Sequence, residues 1–270
     1  MSKCIMLQVA DTRFAIKCGN SSFTRWLAEI YPDFLSPGEP QLWLNLSLDN
    51  FSQTRSSGQL LSIEASGNHD KRIELRLNVA CQNLADFFWS ALHLCLRCAI
   101  AAKQPPDLLL HSAGIIRGGT AYLFSGASGS GKSTVCELFT NESSCTILHD
   151  DIVAISQKEG GFHAWSTPPK EEVPVRLNIG APLQAVFFLK QDQNNYVTKL
   201  SGREAARLLA LNFIPPMVVK EGSLGIAPTE SLGILFALAE RIPCYELHFR
   251  RESHFWECIP QFVEKESVAS

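Results

Sequence analysis

The sequence predicts an α/β protein (α+β overall) in which a β-rich N-terminal region precedes a core built from strands and helices. Apolar and polar residues alternate in several short segments before residue 80, as in half-buried strands. A long helical stripe follows at 84–102, and a glycine-rich loop lies between a strand and a helix at 126–133. Since 46% of the 270 residues are hydrophobic, the chain can bury a large core. We expect two domains, residues 1–103 and 104–270.

The N-terminal region is predicted to contain five strands and one short helix. The helix candidate covers 23–34 and ends near Pro32, which cannot continue it. Turns are expected at Asp11–Thr12 and at 68–71, where polar residues interrupt the alternation. The predicted strands are 5–9, 14–16, 42–46, 60–63 and 73–77.

The apolar segment 84–102 is long enough to be considered as a membrane span. Asp86, His93 and Arg97 are spread along it, however, and its apolar residues form one helical stripe. We therefore predict an amphipathic helix packed on a sheet, ended by the prolines at 105–106.

Residues 126–133 match the pattern G-x-x-x-x-G-K-[ST] in a suitable context. The run 121–125 before them has the apolar character of a buried strand, and 134–139 after them has helical spacing. Glycines allow backbone N–H groups to turn inward, and a helix N-terminus adds partial positive charge. We predict a nucleotide site; the alternative is a glycine-rich turn without a ligand.

The motif assigns roles to individual side chains. Lys132 is predicted to reach the β- and γ-phosphates, and the Ser133 hydroxyl to bind Mg²⁺. The predicted cofactors are therefore ATP and Mg²⁺. The predicted nucleotide contacts are Gly126, Ser128, Gly129, Ser130, Gly131, Lys132, Ser133 and Thr134.

Two adjacent carboxylates supply the second half of the predicted site. The strand 146–148 runs into His149, Asp150 and Asp151, and only one helix and a short turn fit between Lys132 and Asp150. We expect a compact β-α-β unit whose acids face the glycine-rich loop. Asp150 is predicted to bind the metal and Asp151 to accept a hydroxyl proton, although adjacent carboxylates can exchange these roles. Alternatively, one Asp is a turn or cap residue. His149 is expected to form hydrogen bonds at the strand end.

The rest of the chain alternates strands and helices. Residues 200–204 superficially resemble the signature of transporter ATPases, but they follow the acid pair by about 50 residues, whereas that signature precedes it. A Ser201 helix cap is the preferred interpretation. We expect a turn at 160–161, a loop at 167–174, strands at 186–189, 196–200 and 245–249, and helices at 203–211 and 229–241.

Composition argues against several classes of function. The net charge is −3 without a long basic run, so nucleic acid and anionic membranes are not expected as partners. The nine cysteines are irregularly spaced and no signal peptide is recognised, which predicts reduced thiols in a cytoplasmic protein. Cys95 and Cys98 form a single CxxC in an apolar helix, so core packing is favoured over metal or redox chemistry.

The ordered set of motifs resembles the HPr kinase/phosphorylase family, whose core is similar to phosphoenolpyruvate carboxykinase. The resemblance covers roughly residues 108–258. It begins with His111 on a strand and continues through the glycine-rich loop to Asp150 and Asp151. Its later parts are the segments 181–183, 186–189, 245–249 and 255–256.

The resemblance implies a mechanism and a substrate class. It places His111 beside the acid pair near the reacting phosphate, and implies an ATP-dependent kinase acting on a serine hydroxyl of a small protein or peptide. It also implies a homo-oligomer. The glycine-rich signature that HPr kinases carry after the acid pair is not found at 171–180, where Arg176 is either a phosphate contact or a solvated charge. A small-metabolite kinase, or a nucleotide-binding module that recognises a peptide without efficient transfer, are the alternatives.

Overall fold

The computed structural model describes residues 3–53, 59–68, 72–81, 83–140, 144–169, 177–220, 223–226 and 228–250, with residues 255, 257 and 259. The chain is mixed α/β, with a strand-rich N-terminal sheet and a large mixed sheet. Arg176, Trp256 and most of the predicted turn at 68–71 lie outside the described residues.

The described residues form five α-helices, with a 3-10 turn at Pro32–Phe34. The helices are α1 (Ser21–Ile30), α2 (Leu84–Ala102), α3 (Lys132–Phe139), α4 (Gly202–Asn212) and α5 (Pro228–Arg241). The strands are β1 (Lys3–Val9), β2 (Thr12–Cys18), β3 (Leu42–Gln53), β4 (Gln59–Asn68), β5 (Arg72–Cys81), β6 (Leu108–Arg117), β7 (Thr120–Ser125), β8 (Cys145–His149), β9 (Ile152–Lys158), β10 (Gly161–Trp165), β11 (Gly180–Gln191), β12 (Tyr196–Lys199), β13 (Phe213–Ile214), β14 (Met217–Lys220), β15 (Ser223–Ile226) and β16 (Cys244–Phe249).

The chain divides into two compact units, the first of which contains the N-terminal sheet. Its strand order is β1-β2-β3-β5-β4, and α2 packs on β2, β3 and β5. By length and composition α2 is the one helix in the described part of the chain that could cross a membrane, a property shared by buried core helices. Phe88, Cys95 and Cys98 of α2 are buried, so the predicted packing of this helix on a sheet is confirmed.

The second unit contains the large sheet, with the order β10-β9-β6-β7-β11-β16-β12. Strand β10 also pairs with β11, so β10, β9, β6, β7 and β11 close into a ring. Strands β7, β11 and β16 are parallel, and their carboxyl ends therefore share one edge of the sheet. The glycine-rich loop leaves β7 at this edge.

The predicted compact β-α-β unit differs from the observed topology in one respect. Strands β7 and β8 are joined by α3 and are both antiparallel to β6, which lies between them. They are therefore parallel to each other without being neighbours. Strand β6 is apolar along most of its length and is buried, which suits this central position.

Alternate residues of the central strands face two separate cores. Leu123 of β7 and Phe188 of β11 belong to the core beneath α4 and α5, and Phe124 and Phe187 to the core beneath α3. Phe187 stacks on Phe124 and on Tyr245 of β16, with ring centroids 5.4 Å apart in each pair. Aromatic pairs of this kind each contribute about 0.5–1.5 kcal/mol beyond their burial. The row of rings fixes the three parallel strands relative to one another.

Local sequence signals set the element boundaries in this unit. Ser201 caps α4 in a capping box with Glu204, which confirms the predicted Ser cap. The β6–β7 hairpin turns at Gly118 and Gly119, whose φ angles of 59° and 81° suit the tight two-residue turn that glycine allows.

Candidate functional site

The glycine loop, residues 126–131, connects β7 to the first turn of α3. Gly126, Gly129 and Gly131 have φ angles of 156°, 79° and 112°. A Cβ atom at Gly126 would lie 2.6 Å from Ser130 Oγ, and one at Gly131 would lie 2.5 Å from Cζ of Phe249. The loop therefore requires glycine both for its backbone angles and for its close contacts.

Lys132, the first residue of α3, folds back over this loop. Its Nζ donates hydrogen bonds to the carbonyl oxygens of Gly126, at 2.7 Å, and Ala127, at 3.2 Å. The side chain is 7% exposed, and burial lowers the pKa of its ammonium, while the nearby Asp151 carboxylate raises it. The loop thus holds a buried cation at its centre.

Further contacts fix the loop from outside. The Ser130 amide donates to the Ala127 carbonyl at 3.1 Å, which closes a turn. At the end of β11, Gln191 Nε2 donates to the Gly129 carbonyl at 2.9 Å. Ser130 Oγ is buried and has no hydrogen-bond partner in the described part of the chain. A ligand in the loop could supply one.

The acid pair lies at a break between β8 and β9. Both strands are antiparallel to β6. The pairing of β6 with β8 shifts its register between Gly114 and Ile115 of β6. The Asp151 carbonyl still accepts a hydrogen bond from the Ser112 amide at 2.9 Å. The break turns the backbone at Asp150 and Asp151 out of the regular ladder, so that their side chains are free to serve a site.

His111 of β6 pairs with Asp151 across this break. The His111 Nδ1 and Asp151 Oδ1 atoms are 2.9 Å apart, and the side chains are 36% and 46% exposed. The hydrogen bond from His111 is the largest cause that lowers the pKa of Asp151, and the positive charge of Lys132 contributes in the same direction. The predicted neighbours His111, Asp151 and Lys132 are thus brought together.

Two buried serines hold the backbone at His111. Ser125 Oγ, at the end of β7, donates to the His111 carbonyl at 3.1 Å. Ser112 Oγ lies 2.5 Å from Ser125 Oγ, and both side chains are fully buried. These hydrogen bonds join the strand that carries His111 to the strand that leads into the glycine loop, so the two halves of the site are positioned together.

His149 forms hydrogen bonds to the backbone at the break between β8 and β9. Its Nδ1 lies 2.8 Å from the Asp151 amide and 2.9 Å from the Ile152 amide, and 3.3 Å from Asp150 Oδ1. A protonated Nδ1 would donate to the carboxylate, and an unprotonated one would accept from both amides. The two amide contacts are shorter, so we assign Nδ1 as their acceptor. The predicted strand-end hydrogen bonding by His149 is confirmed.

Asp150 is suited to a cation. Its carboxylate is 32% exposed and lies 3.3 Å from His149 Nδ1, and this contact is the largest cause that holds the pKa of the Asp150 carboxyl below its usual value. No group of three or more His, Cys, Asp or Glu side chains in the described ranges could hold a metal without other ligands. A Mg²⁺ site with one protein carboxylate, water and phosphate oxygens fits this arrangement.

Sequence reasoning missed the residues that act across the fold. Gln191, Ser112 and Ser125 carry no local signal, because each acts through a partner on another element of the fold. Ser133 and Thr134 lie in the first turn of α3, as predicted, and Ser128 is exposed in the loop. In the described part of the chain no hydrogen bond joins Ser133 to Asp150.

Comparisons with known proteins give one family match. The family model described as SynChlorMet cassette protein ScmC matches residues 88–264, more than half of the chain. No curated protein matches. Among solved structures, the HPr(Ser) kinase/phosphatase from Coxiella burnetii is similar over 59% of this chain and 98% of its own, with 8% identity and a TM-score of 0.35. The matching family is thus a different one from the family that the sequence motifs resemble, and the solved kinase is a distant structural neighbour.

Proposed function

The chain belongs to the ScmC family of SynChlorMet cassette proteins, and we propose that it is an ATP-dependent kinase. The reaction would transfer the γ-phosphoryl group to a serine hydroxyl of a small protein or peptide. The observation that carries the proposal is the His111–Asp151 pair at 2.9 Å, in electrostatic contact with the Lys132 ammonium at the glycine loop. A proton acceptor and a phosphate-binding cation at one edge of a sheet are the minimum for this reaction.

The loop fits a nucleoside triphosphate. Gly126 and Gly131 leave no room for side chains, Lys132 is buried at the centre of the loop, and the buried Ser130 Oγ has no hydrogen-bond partner in the described residues. Loop amides and Lys132 would hold the phosphates, since oriented N–H groups and one ammonium bind anions strongly. Ser133 and Asp150 would hold Mg²⁺, which neutralises phosphate charge when bound.

The proposed transfer is a single in-line displacement. The acceptor oxygen attacks the γ-phosphorus, its proton passes to Asp151, and the bond to the bridging oxygen breaks so that ADP leaves. His111 keeps the Asp151 carboxylate oriented through its Nδ1 hydrogen bond. Positioning and charge stabilisation account for most of the rate enhancement in such reactions.

A specific observation favours a second candidate function. The hydrogen bond from His111 lowers the pKa of Asp151, and a carboxylate with a lowered pKa is a weaker proton acceptor. A nucleotide-binding module that recognises a peptide and transfers phosphate slowly, or not at all, would keep the same loop and cation. The two candidates differ in phosphoryl transfer alone.

Labelled ATP separates the candidates. Purified protein is incubated with Mg²⁺, γ-labelled ATP and a library of serine-containing peptides, and in parallel with a panel of hydroxyl-bearing metabolites. Label on a peptide supports the proposal, and label on a metabolite supports a small-metabolite kinase. Tight ATP binding without transfer supports the binding module. Lys132→Ala protein is the control for contaminating kinases, and absence of ATP binding by the wild type refutes both candidates.

A further inference from the structure

Thr167, which follows strand β10, forms a hydrogen bond next to the acid pair and has no role in the reaction proposed above. Its Oγ1 atom donates to the Ile152 carbonyl at 2.7 Å, and Thr167 is 2% exposed. Ile152 is the first residue of β9 and directly follows Asp151. A buried hydroxyl therefore contacts the backbone one residue after the proposed proton acceptor.

The Thr167 bond lies where the backbone ladder between β9 and β10 has ended. Pairing of β10 with β9 extends to Trp165. The Ser166 amide then donates to the Ile179 carbonyl at 2.9 Å, on the other side of β10. Two prolines, at 168–169, come next, and proline has no N–H to donate. The Thr167 hydroxyl thus supplies a contact to β9 that the backbone of this segment does not supply.

The backbone polar groups of Asp151 and Ile152 all have hydrogen-bond partners, and Thr167 supplies one of these contacts. The Ser112 amide donates to the Asp151 carbonyl at 2.9 Å. The Asp151 and Ile152 amides lie 2.8 and 2.9 Å from His149 Nδ1. The Ile152 carbonyl accepts from Thr167. A buried carbonyl without a partner is costly, so loss of this hydroxyl would favour a shift of the Ile152 peptide group toward another donor.

We propose that Thr167 is a positioning residue for phosphoryl transfer, because it holds the start of β9 beside His111. Ile152 lies opposite His111 in the register of β9 and β6. Asp151 precedes Ile152 by one residue and reaches His111 Nδ1 at 2.9 Å. A shift of the Ile152 peptide group therefore alters the contact between Asp151 and His111. The inference rests on the proposed function and adds to it a residue that acts through the backbone.

The test compares variants that lose or keep the hydroxyl. Thr167→Val keeps the shape of the side chain and removes the donor, whereas Thr167→Ser keeps the donor. Thr120→Val is the matched control, because Thr120 Oγ1 also donates to a backbone carbonyl, that of Arg117, at 3.2 Å in the β6–β7 hairpin. Each variant is incubated with Mg²⁺, γ-labelled ATP and the library of serine-containing peptides, and ATP affinity is measured by calorimetry.

A positioning role predicts a loss of transfer without a loss of binding. Thr167→Val should transfer about 10- to 100-fold more slowly at saturating ATP, since a small displacement of a reacting group has a cost of this size. Its ATP affinity should stay within about twofold of the wild type. Thr167→Ser should transfer within about threefold of the wild type, and Thr120→Val should transfer at the wild-type rate.

A second readout does not depend on transfer. The nitrogen-15 chemical shift of His111 Nδ1 reports its hydrogen bond to Asp151, and the signal is assigned by its absence from His111→Gln. In Thr167→Val this signal should move, and the Ser112 amide should exchange with solvent about 5- to 50-fold faster. Both should keep their wild-type values in Thr167→Ser and in Thr120→Val.

The outcomes separate this assignment from the proposed function. If the wild type transfers phosphate, either transfer or the His111 signal left unchanged in folded Thr167→Val overturns the assignment. Equal loss of ATP affinity and transfer also overturns it, because the residue then supports the fold of the site as a whole. If the wild type binds ATP without transfer, the kinase proposal fails, and the assignment fails with it even if the His111 signal moves. Circular dichroism confirms folding, and Thr167→Cys, with its weak donor, replaces Thr167→Val under the same criteria if that variant does not fold.

Discussion

The Nδ1 atom of His111 lies 2.9 Å from the Oδ1 atom of Asp151, although 40 residues separate them in the chain. The contact exists because β9 pairs with the first half of β6, and because the backbone leaves the ladder just before β9 begins. Asp151 is therefore oriented by a side chain that belongs to another strand. The pair gives the site a carboxylate that is held in one orientation and whose pKa is lowered by the His111 hydrogen bond.

Replacing His111 by alanine should raise the pKa of Asp151, because the His111 hydrogen bond is the largest cause of its lowering. A carboxylate whose pKa is lowered on folding contributes stability above its unfolded pKa, and the contribution is lost as the pH falls through the folded pKa. His111→Ala should thus be less stable than the wild type at neutral pH, and the difference should vanish in acid. Carbon-13 titration of the carboxyl measures the shift, with His163→Ala as the control. An unchanged Asp151 pKa would contradict the pairing.

Lys132→Ala should leave the fold intact and remove most nucleotide binding. The ammonium neutralises phosphate charge that the loop amides offset only in part. Calorimetry measures ATP affinity, and circular dichroism monitors folding. Lys17→Ala, which removes an exposed lysine from β2, is the matched control for net charge. Undiminished ATP affinity in folded Lys132→Ala would rule out a phosphate site in the glycine loop.

Asp150→Asn should lose metal-dependent binding, whereas Asp151→Asn should lose phosphoryl transfer. Asp150→Asn should weaken Mg²⁺-dependent nucleotide binding, because it removes the ionised carboxylate that is proposed to hold the ion. Asp151→Asn should still bind Mg-ATP but lose transfer by about 10²- to 10⁴-fold, the usual contribution of a general base. Titrations of ATP with and without Mg²⁺, followed by transfer assays, separate the two. A variant that transfers within about twofold of the wild type assigns its residue to structure.

His149→Asn should preserve the break between β8 and β9, and His149→Gln should not. The Asn side-chain oxygen occupies a position close to that of Nδ1, whereas the Gln oxygen lies one atom further along. Loss of the Nδ1 acceptor should speed hydrogen exchange at the Asp151 and Ile152 amides by about 5- to 50-fold. Amide exchange followed by NMR tests this without any assay of activity. Equal protection in both variants would show that the ring does not hold the turn.

The local parts of the fold and site could be predicted from sequence. The Ser201 cap of α4 and the glycines of the loop act within a few residues of their partners, so their pattern is visible in the chain. The relation of β8 and β9 to β6 could not be predicted, because it depends on pairing between distant segments. The contact of Gln191 with Gly129 could not be predicted for the same reason.

Strands β10, β14 and β15 are not among the predicted elements, and in β10 the sequence signal is present. Strand β10, Gly161–Trp165, alternates buried Phe162 and Ala164 with less buried neighbours. Its short length and the two glycines at 160–161 favoured a turn in the sequence interpretation. The strand is stabilised by pairing on both sides, with β9 and β11, which sequence alternation alone does not reveal.

The thiols of Cys95 and Cys98 should be inert and dispensable. Both are buried, and burial raises the pKa of each, that of Cys98 to about 12, so little thiolate forms near neutral pH. In native protein an alkylating reagent at pH 8 should modify the exposed Cys4 first, as mass spectrometry of each peptide would show. The Cys95→Ala, Cys98→Ala double variant should bind no less zinc than the wild type. Stoichiometric zinc that disappears in the double variant would reverse this assignment.

A ligand that binds the Lys132 ammonium must replace its hydrogen bonds to two carbonyl oxygens. The Gly126 and Ala127 carbonyl oxygens solvate the Lys132 ammonium much as water would. An entering anion must exchange these contacts for its own, so a singly charged oxyanion gains little, whereas a polyanion that also engages the loop amides gains from both. Affinity for anions should therefore rise steeply with ligand charge, and a phosphate-binding loop of this kind would select against the monovalent anions of the cell.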